Sequence, residues 1–241
     1  MEAKDHFNET EIRKIEKLKH LAKGYMNGVI HGYGLIYESF LVMAGGAFTA
    51  WHHNEDPRDF DIFVLSPGLD QADPVKAEIQ AMLRQGIKDS DLEINANAAY
   101  MGNPNIVSVW KDNNNRAQFI FTKYKTRKEL LDHFDFQHCK VAYTPTTGNL
   151  YISPLTYHCM DKKLLLKNPT GIEIQYWRLA KFQKRGFDIS KVTLDMSTIR
   201  PFSTTPMPAV HVKQTATAGQ NAHWQRELEA MKSLFSTVIK R

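Results

Sequence analysis

Cysteine is nearly missing from this 241-residue chain, which has only Cys139 and Cys159. Two cysteines cannot build a multi-bridge disulfide framework, and they suit a reducing compartment. No apolar run approaches the roughly 18 residues that a membrane span needs, so no membrane partner is expected. The start, Met1-Glu2-Ala3-Lys4-Asp5-His6, lacks the apolar segment of a secretory signal. A cytoplasmic location is the expectation. No Gly-x-x-x-x-Gly-Lys and no Gly-x-Ser-x-Gly occurs, which argues against P-loop phosphotransfer and the usual serine hydrolase layout. Internal repeats are absent as well.

What is present is enough to fold. Hydrophobic residues make up 42% and charged residues 24%, a balance that can bury a core and excludes wholesale disorder. The net charge of +5 conceals a split: residues 1–156 hold 17 Lys and Arg against 20 Asp and Glu, whereas residues 157–241 hold 14 against 6. A basic half attracts phosphate-rich partners, although a solvated basic face has the same composition.

Apolar residues recurring at three- and four-residue steps from Ile12 to Ile30 predict a first helix over Glu9–Ile30, with Asn8 and Glu11 as a capping box. Short apolar runs predict strands over Phe40–Ala44, Asp59–Leu65, Ile106–Trp110 and Ala117–Phe121. Further strands are expected over Asp135–Tyr143 and Asn149–Ile152. Helices are expected over Pro74–Gln85, Arg127–His133, Leu155–Lys167 and Ile172–Arg185. Residues 196–222, rich in Ser, Thr, Pro and Ala, read as a linker, with a last helix from Ala222. The fold class is α+β: a small mixed β-sheet with flanking helices over residues 1–155, then a basic, mostly helical region over 156–241.

One stretch carries chemistry. Leu41-Val42-Met43-Ala44 runs into Gly45-Gly46, and Asp59-Phe60-Asp61 opens a later apolar strand. Strand alternation puts Asp59 and Asp61 on one face and Phe60 and Ile62 on the other. Two carboxylates so placed repel unless a cation lies between them, and Mg²⁺ prefers such hard oxygen ligands. Glycines, lacking Cβ atoms, let a turn's backbone approach phosphate oxygens. Without a ligand, the same residues would be a Gly-Gly turn before a short helix and aspartates that cap or solvate a strand end.

This layout resembles the nucleotidyltransferase superfamily, which includes DNA polymerase beta, poly(A) polymerases and tRNA CCA-adding enzymes. Its mark is a Gly-Gly or Gly-Ser turn followed, about a dozen residues on, by an aspartate pair in a hydrophobic strand. The resemblance implies Asp59 and Asp61 as catalytic, metal-binding residues, and Gly45 and Gly46 as positioning the phosphates of a nucleoside triphosphate. The superfamily adds a third carboxylate on a neighbouring strand with apolar flanks. Asp135, within Phe134-Asp135-Phe136, is the candidate, an ordinary turn aspartate is its alternative, and Asp91 and Glu93 stand in reserve. Arg58 could contact a phosphate or form a surface salt bridge. The implied reaction is Mg²⁺-dependent (or Mn²⁺-dependent) transfer of a nucleoside monophosphate to a hydroxyl, with RNA such as a tRNA-like 3′ end as the acceptor. A protein hydroxyl, as in toxin–antitoxin systems, and a catalytically silent nucleic-acid-binding member of the fold are the alternatives. Residues 134–140 also resemble proteins of large bacteriophages and giant viruses, which would make the location a host cytoplasm.

Lys162, Lys163, Arg178, Lys181, Lys184 and Arg185 form the candidate RNA surface, with Tyr176 and Trp177 available for stacking. Their alternative is a helix of packed aromatics and solvated cations. The pairs His138-Cys139 and His158-Cys159 read as packed side chains, because adjacent strand residues point apart and zinc needs about four converging ligands.

Overall fold

A computed structural model describes residues 7–66, 74–88, 92–95, 103–171 and 176–190. The linker 196–222, the helix expected from Ala222, Asp91, and the side chains of Glu93, Tyr176 and Trp177 lie outside this description. The chain divides into two compact units, residues 1–172 and 173–241.

Helix α1 (Glu9–Tyr33) begins as the capping box dictates. Asn8 Oδ1 accepts from the Glu11 N–H at 3.0 Å, and Glu11 Oε2 accepts from the Asn8 N–H at 2.9 Å. It ends at Gly34, whose φ of +63° needs no Cβ penalty. After it come β1 (Leu41–Ala44), α2 (Gly46–His52), β2 (Phe60–Val64), α3 (Pro74–Gly86), β3 (Leu92–Asn95), β4 (Ile106–Asp112), β5 (Ala117–Thr122) and α4 (Arg127–Asp132). The first unit closes with β6 (Ala142–Thr144), β7 (Asn149–Tyr151) and α5 (Pro154–Asp161). The expected α+β class is what the structure has: a mixed sheet in the order β3-β4-β5-β2-β1-β6-β7, flanked by helices. Every pairing is antiparallel except β2 with β5.

The period-2 pattern of β2 divides its side chains between two apolar clusters. Phe60, Ile62 and Val64 join the larger core with Leu18, Ala22 and Met26 of α1 and Ile79 and Leu83 of α3. Phe63 and Leu65 face the smaller cluster, with Val42, Ile120 and Leu130. Truncating Ile62, which is fully buried, would cost about 2–5 kcal/mol.

Two expectations are corrected. The segment Asp135–Tyr143 is not one strand. Phe136 makes a single bridge to Lys167, residues Gln137–Cys139 turn as a 3₁₀ helix, and only Ala142–Thr144 joins the sheet. Asn168, itself buried and distant in sequence, binds the carbonyls of Asp132 (3.0 Å) and Phe134 (2.8 Å), and so diverts this backbone from a ladder. The helix expected over Leu155–Lys167 is shorter and packs into the first compact unit. Tyr157 and Met160 enter the large core, and α5 ends at Asp161 rather than continuing to Lys167.

Asp161 ties three helices together. It accepts from Lys14 of α1 at 3.1 Å, His52 of α2 at 2.9 Å and Lys162 at 3.2 Å. Burial pushes the Asp161 carboxyl up, but these donors outweigh it and hold the group well below the usual carboxylate range. Burial also holds the His52 imidazole below its ordinary value, against the Asp161 hydrogen bond that favours the charged form. A neutral His52 therefore donates through Nε2. Because the unfolded chain takes up a proton near pH 6.5 that folded His52 resists, stability falls as pH drops below that value. The Asp161 contribution is present above about pH 4 and is lost as pH falls toward its depressed folded value. Thermal melts from pH 7.5 to 3.5 should therefore show the advantage of wild type over His52→Gln shrinking between pH 7 and 5. Asp161→Asn should flatten the more acidic limb. A constant His52→Gln difference across that range would contradict the assignment.

Candidate active site

The site lies on the smaller-cluster face of β2. Asp61 is half-buried and Asp59 exposed. Asp61 stands directly opposite Ala44 of β1 on one side and Gln118 of β5 on the other. Gln118 Nε2 donates to Asp59 Oδ2 at 3.1 Å, so the two aspartates and Gln118 share one face, as the alternation requires.

The turn after β1 comes to the same place. Gly45 has φ +92° and ψ −146°, a conformation open essentially to glycine alone. A Cβ built on it would lie 3.2 Å from Asp61 Oδ2. The glycine turn and the second aspartate are therefore in contact distance, with only a hydrogen in between. Gly46, the first residue of α2, has open space where a Cβ would point.

The backbone entering Asp59 is clamped from the β4–β5 hairpin. Arg116 Nη1 donates to Asp56 Oδ2 at 2.6 Å and to the Pro57 carbonyl at 2.7 Å, and the Arg116 carbonyl accepts from the Phe60 N–H at 2.8 Å. That hairpin is itself anchored by buried Asp112, which accepts from the Asn114 and Asn115 N–H groups and from the Tyr33 hydroxyl of α1. Burial pushes Asp112 up, but the hydrogen bonds prevail and lower its pKa, so it stays ionised. Arg58 is exposed beside the pair.

Asp135 lies buried between α4 and the 3₁₀ turn. It is 2% exposed, its Oδ1 accepts from the Phe136 N–H at 3.0 Å, and its carbonyl accepts from the Asn168 N–H at 2.8 Å. Among the described residues no three His, Cys, Asp or Glu side chains form a set that could hold a metal ion, so Asp135 does not complete a triad with Asp59 and Asp61. The strand neighbour with apolar flanks is instead Gln118, between Ala117 and Phe119. Sequence reasoning missed it because the parallel register of β2 and β5 leaves no local signal.

Asp59 and Asp61 fit one hard divalent cation: two carboxylates on one face, with a cradle at Gly45 that a Cβ would narrow. Among the described residues no third carboxylate joins them in a cation-holding set. Of the candidate RNA surface, Lys162 pairs with Asp161 at 3.2 Å and Lys163 with Glu55 at 3.1 Å. In the second unit, α6 (Tyr176–Lys184) carries Arg178 over the Phe182 ring at 5.7 Å. Cys139 Sγ lies 3.3 Å from His138 Nε2, both buried, and Cys159 is buried too.

This geometry defines an α+β domain with an acidic pair facing a glycine turn. The Gabija anti-defense 2 (Gad2) family model matches residues 14–163, more than half of the chain, and the chain belongs to that family. It is also 25% identical over 175 residues to the uncharacterized protein R883 of Acanthamoeba polyphaga mimivirus, an alignment covering 68% of this chain and 38% of that protein. The chain thus spans well under half the length of that relative. Among solved structures it is similar to the Thermotoga maritima CCA-adding enzyme complexed with tRNA (16% identity, TM-score 0.41), covering 61% of this chain and 34% of the other. A CCA-adding enzyme in an apo form gives 14% identity and a TM-score of 0.42, covering 76% and 40%. No described helix is long and apolar enough to cross a membrane.

Gly45→Ala should destabilise the fold by about 1–3 kcal/mol and displace the Asp61 carboxylate, whereas Gly46→Ala should leave stability within about 0.5 kcal/mol of wild type. Urea unfolding of the two variants tests this, and equal midpoints would refute the cradle.

Proposed function

We propose that this chain binds a nucleoside triphosphate with Mg²⁺ at Asp59 and Asp61 and transfers its nucleoside monophosphate to a hydroxyl acceptor, as a step in disabling a host defence system. The observation that carries the reading is the close approach of the Gly45 turn to Asp61, where an added Cβ would stand 3.2 Å from the carboxylate oxygen. The family name supports the anti-defence purpose, and the viral relative is consistent with action in a host cytoplasm.

In this reading Asp59 and Asp61 hold the cation, with Gln118 fixing the Asp59 carboxylate. Gly45 keeps the space beside Asp61 clear for phosphoryl oxygens, Gly46 and its turn position them, and Arg58 offers a charge to a phosphate from solvent. A bound divalent ion would neutralise the triphosphate and polarise the α-phosphorus. The acceptor oxygen bonds to that phosphorus, the bond to the β-phosphate bridging oxygen breaks, pyrophosphate leaves and the hydroxyl proton passes to water. RNA is the first acceptor class, on the strength of the basic half. A protein hydroxyl gains support from the engagement of Lys162 and Lys163 with acidic neighbours, which reduces their pull on phosphate. A second reading, nucleotide capture without transfer, is favoured by the position of Asp135 outside any acidic triad.

The deciding experiment incubates the full chain with each α-labelled nucleoside triphosphate, Mg²⁺ or Mn²⁺, total RNA and a host lysate. Label should appear on RNA and should drop at least a hundredfold in Asp61→Asn. Label on protein would select the other acceptor, and nucleotide retained without transfer would select capture. Transfer undiminished in Asp61→Asn would overturn the site.

A further inference from the structure

Gln118 reaches the acidic pair from the neighbouring strand. It occupies the strand position beside Asp61, between buried Ala117 and Phe119. Its carboxamide is uncharged, and the group turned toward Asp59 is the amide nitrogen, because an ionised carboxylate only accepts hydrogen bonds. That N–H occupies part of Asp59 Oδ2, at 3.1 Å, an oxygen that a second cation would need. On its other side Gln118 is in antiparallel register with Lys111 of β4, and directly paired residues project to the same face of the sheet. The register across the sheet therefore runs Glu93, Lys111, Gln118, Asp61. A neutral group whose amide nitrogen faces the Asp59 carboxylate brings no ligand charge for a second divalent ion on that flank.

Resting on the cation reading of Asp59 and Asp61, we propose that Gln118 makes this a one-cation site. The chain engages the single divalent ion that accompanies a triphosphate, and Gln118 acts as a positioning residue that holds the Asp59 carboxylate toward it. The site's own charge of two carboxylates then matches one dication, and the remaining triphosphate charge is left to the turn and to Arg58.

The test counts ions directly rather than by turnover. Mn²⁺ binding to the full chain is followed by electron paramagnetic resonance, with the α,β-methylene analogues of the four ribonucleoside triphosphates present. Wild type should bind one Mn²⁺ per chain. Gln118→Glu, which restores a third carboxylate, should bind two at the same Mn²⁺ concentration. Gln118→Ala should keep one ion but weaken it roughly tenfold or more, the worth of a hydrogen bond to a charged group, with an unchanged circular dichroism spectrum confirming its fold. Two ions in wild type, or one in Gln118→Glu, would overturn the one-cation assignment while leaving the site reading intact. Mn²⁺ binding that survives Asp61→Asn would remove the site reading and this inference together.

Discussion

The placement of β2 between an antiparallel and a parallel neighbour is the constraint on which the site depends. Because Asp61 is in register with both Ala44 and Gln118, one strand position fixes its distance from the glycine turn and from the carboxamide at once. A slip of one residue would send Asp61 into the large apolar core and bring Phe60 or Ile62 out to solvent. Burial of Phe60, Ile62 and Val64 makes that slip prohibitive, so core packing positions the carboxylate. The clamp by Arg116 on Asp56 and Pro57 then restricts the approach to Asp59. An exposed ion pair of this kind contributes little stability by itself, and its effect is on the direction of the chain.

What was legible in the sequence was local. The capping box at Asn8, the strand alternation of Asp59 to Leu65 and the glycines ending β1 are short-range patterns, and each produced the element it implied. Asp135 shows where local reading fails. Phe134-Asp135-Phe136 has apolar flanks suited to a strand, yet Asn168, thirty-odd residues away, captures the carbonyls around it. Gln118 failed to register for the complementary reason. Glutamine in a strand has no chemistry of its own, and its importance comes from a parallel pairing between segments nearly sixty residues apart.

The acids of this chain divide into two electrostatic kinds. Asp112 and Asp161 are engaged by several donors each, and their lowered pKa values follow from those hydrogen bonds prevailing over burial. They are structural: one anchors a hairpin to α1, the other binds α5 to α1 and α2. Asp59 is exposed and Asp61 half-buried, both on the smaller-cluster face of β2 beside the glycine turn. Carboxylates that served only to cap the strand would have no need of a neighbouring backbone conformation reserved for glycine. The close approach of Gly45 to Asp61 separates the two kinds more sharply than charge does.

That same approach limits what the site can accept. With a Cβ-free turn on one side and a carboxamide already bonded to Asp59 on the other, the space beside Asp61 is bounded by the Gly45 backbone and by Gln118. A metal-free anion would face two carboxylates there, and a free cation would find two ligating groups. A polyphosphate arriving with its own divalent ion satisfies both requirements together, since the ion screens the phosphates from Asp59 and Asp61 while the oxygens complete its coordination. The proposed substrate class follows from this charge balance on the acidic face, independently of which acceptor the basic half of the chain would favour.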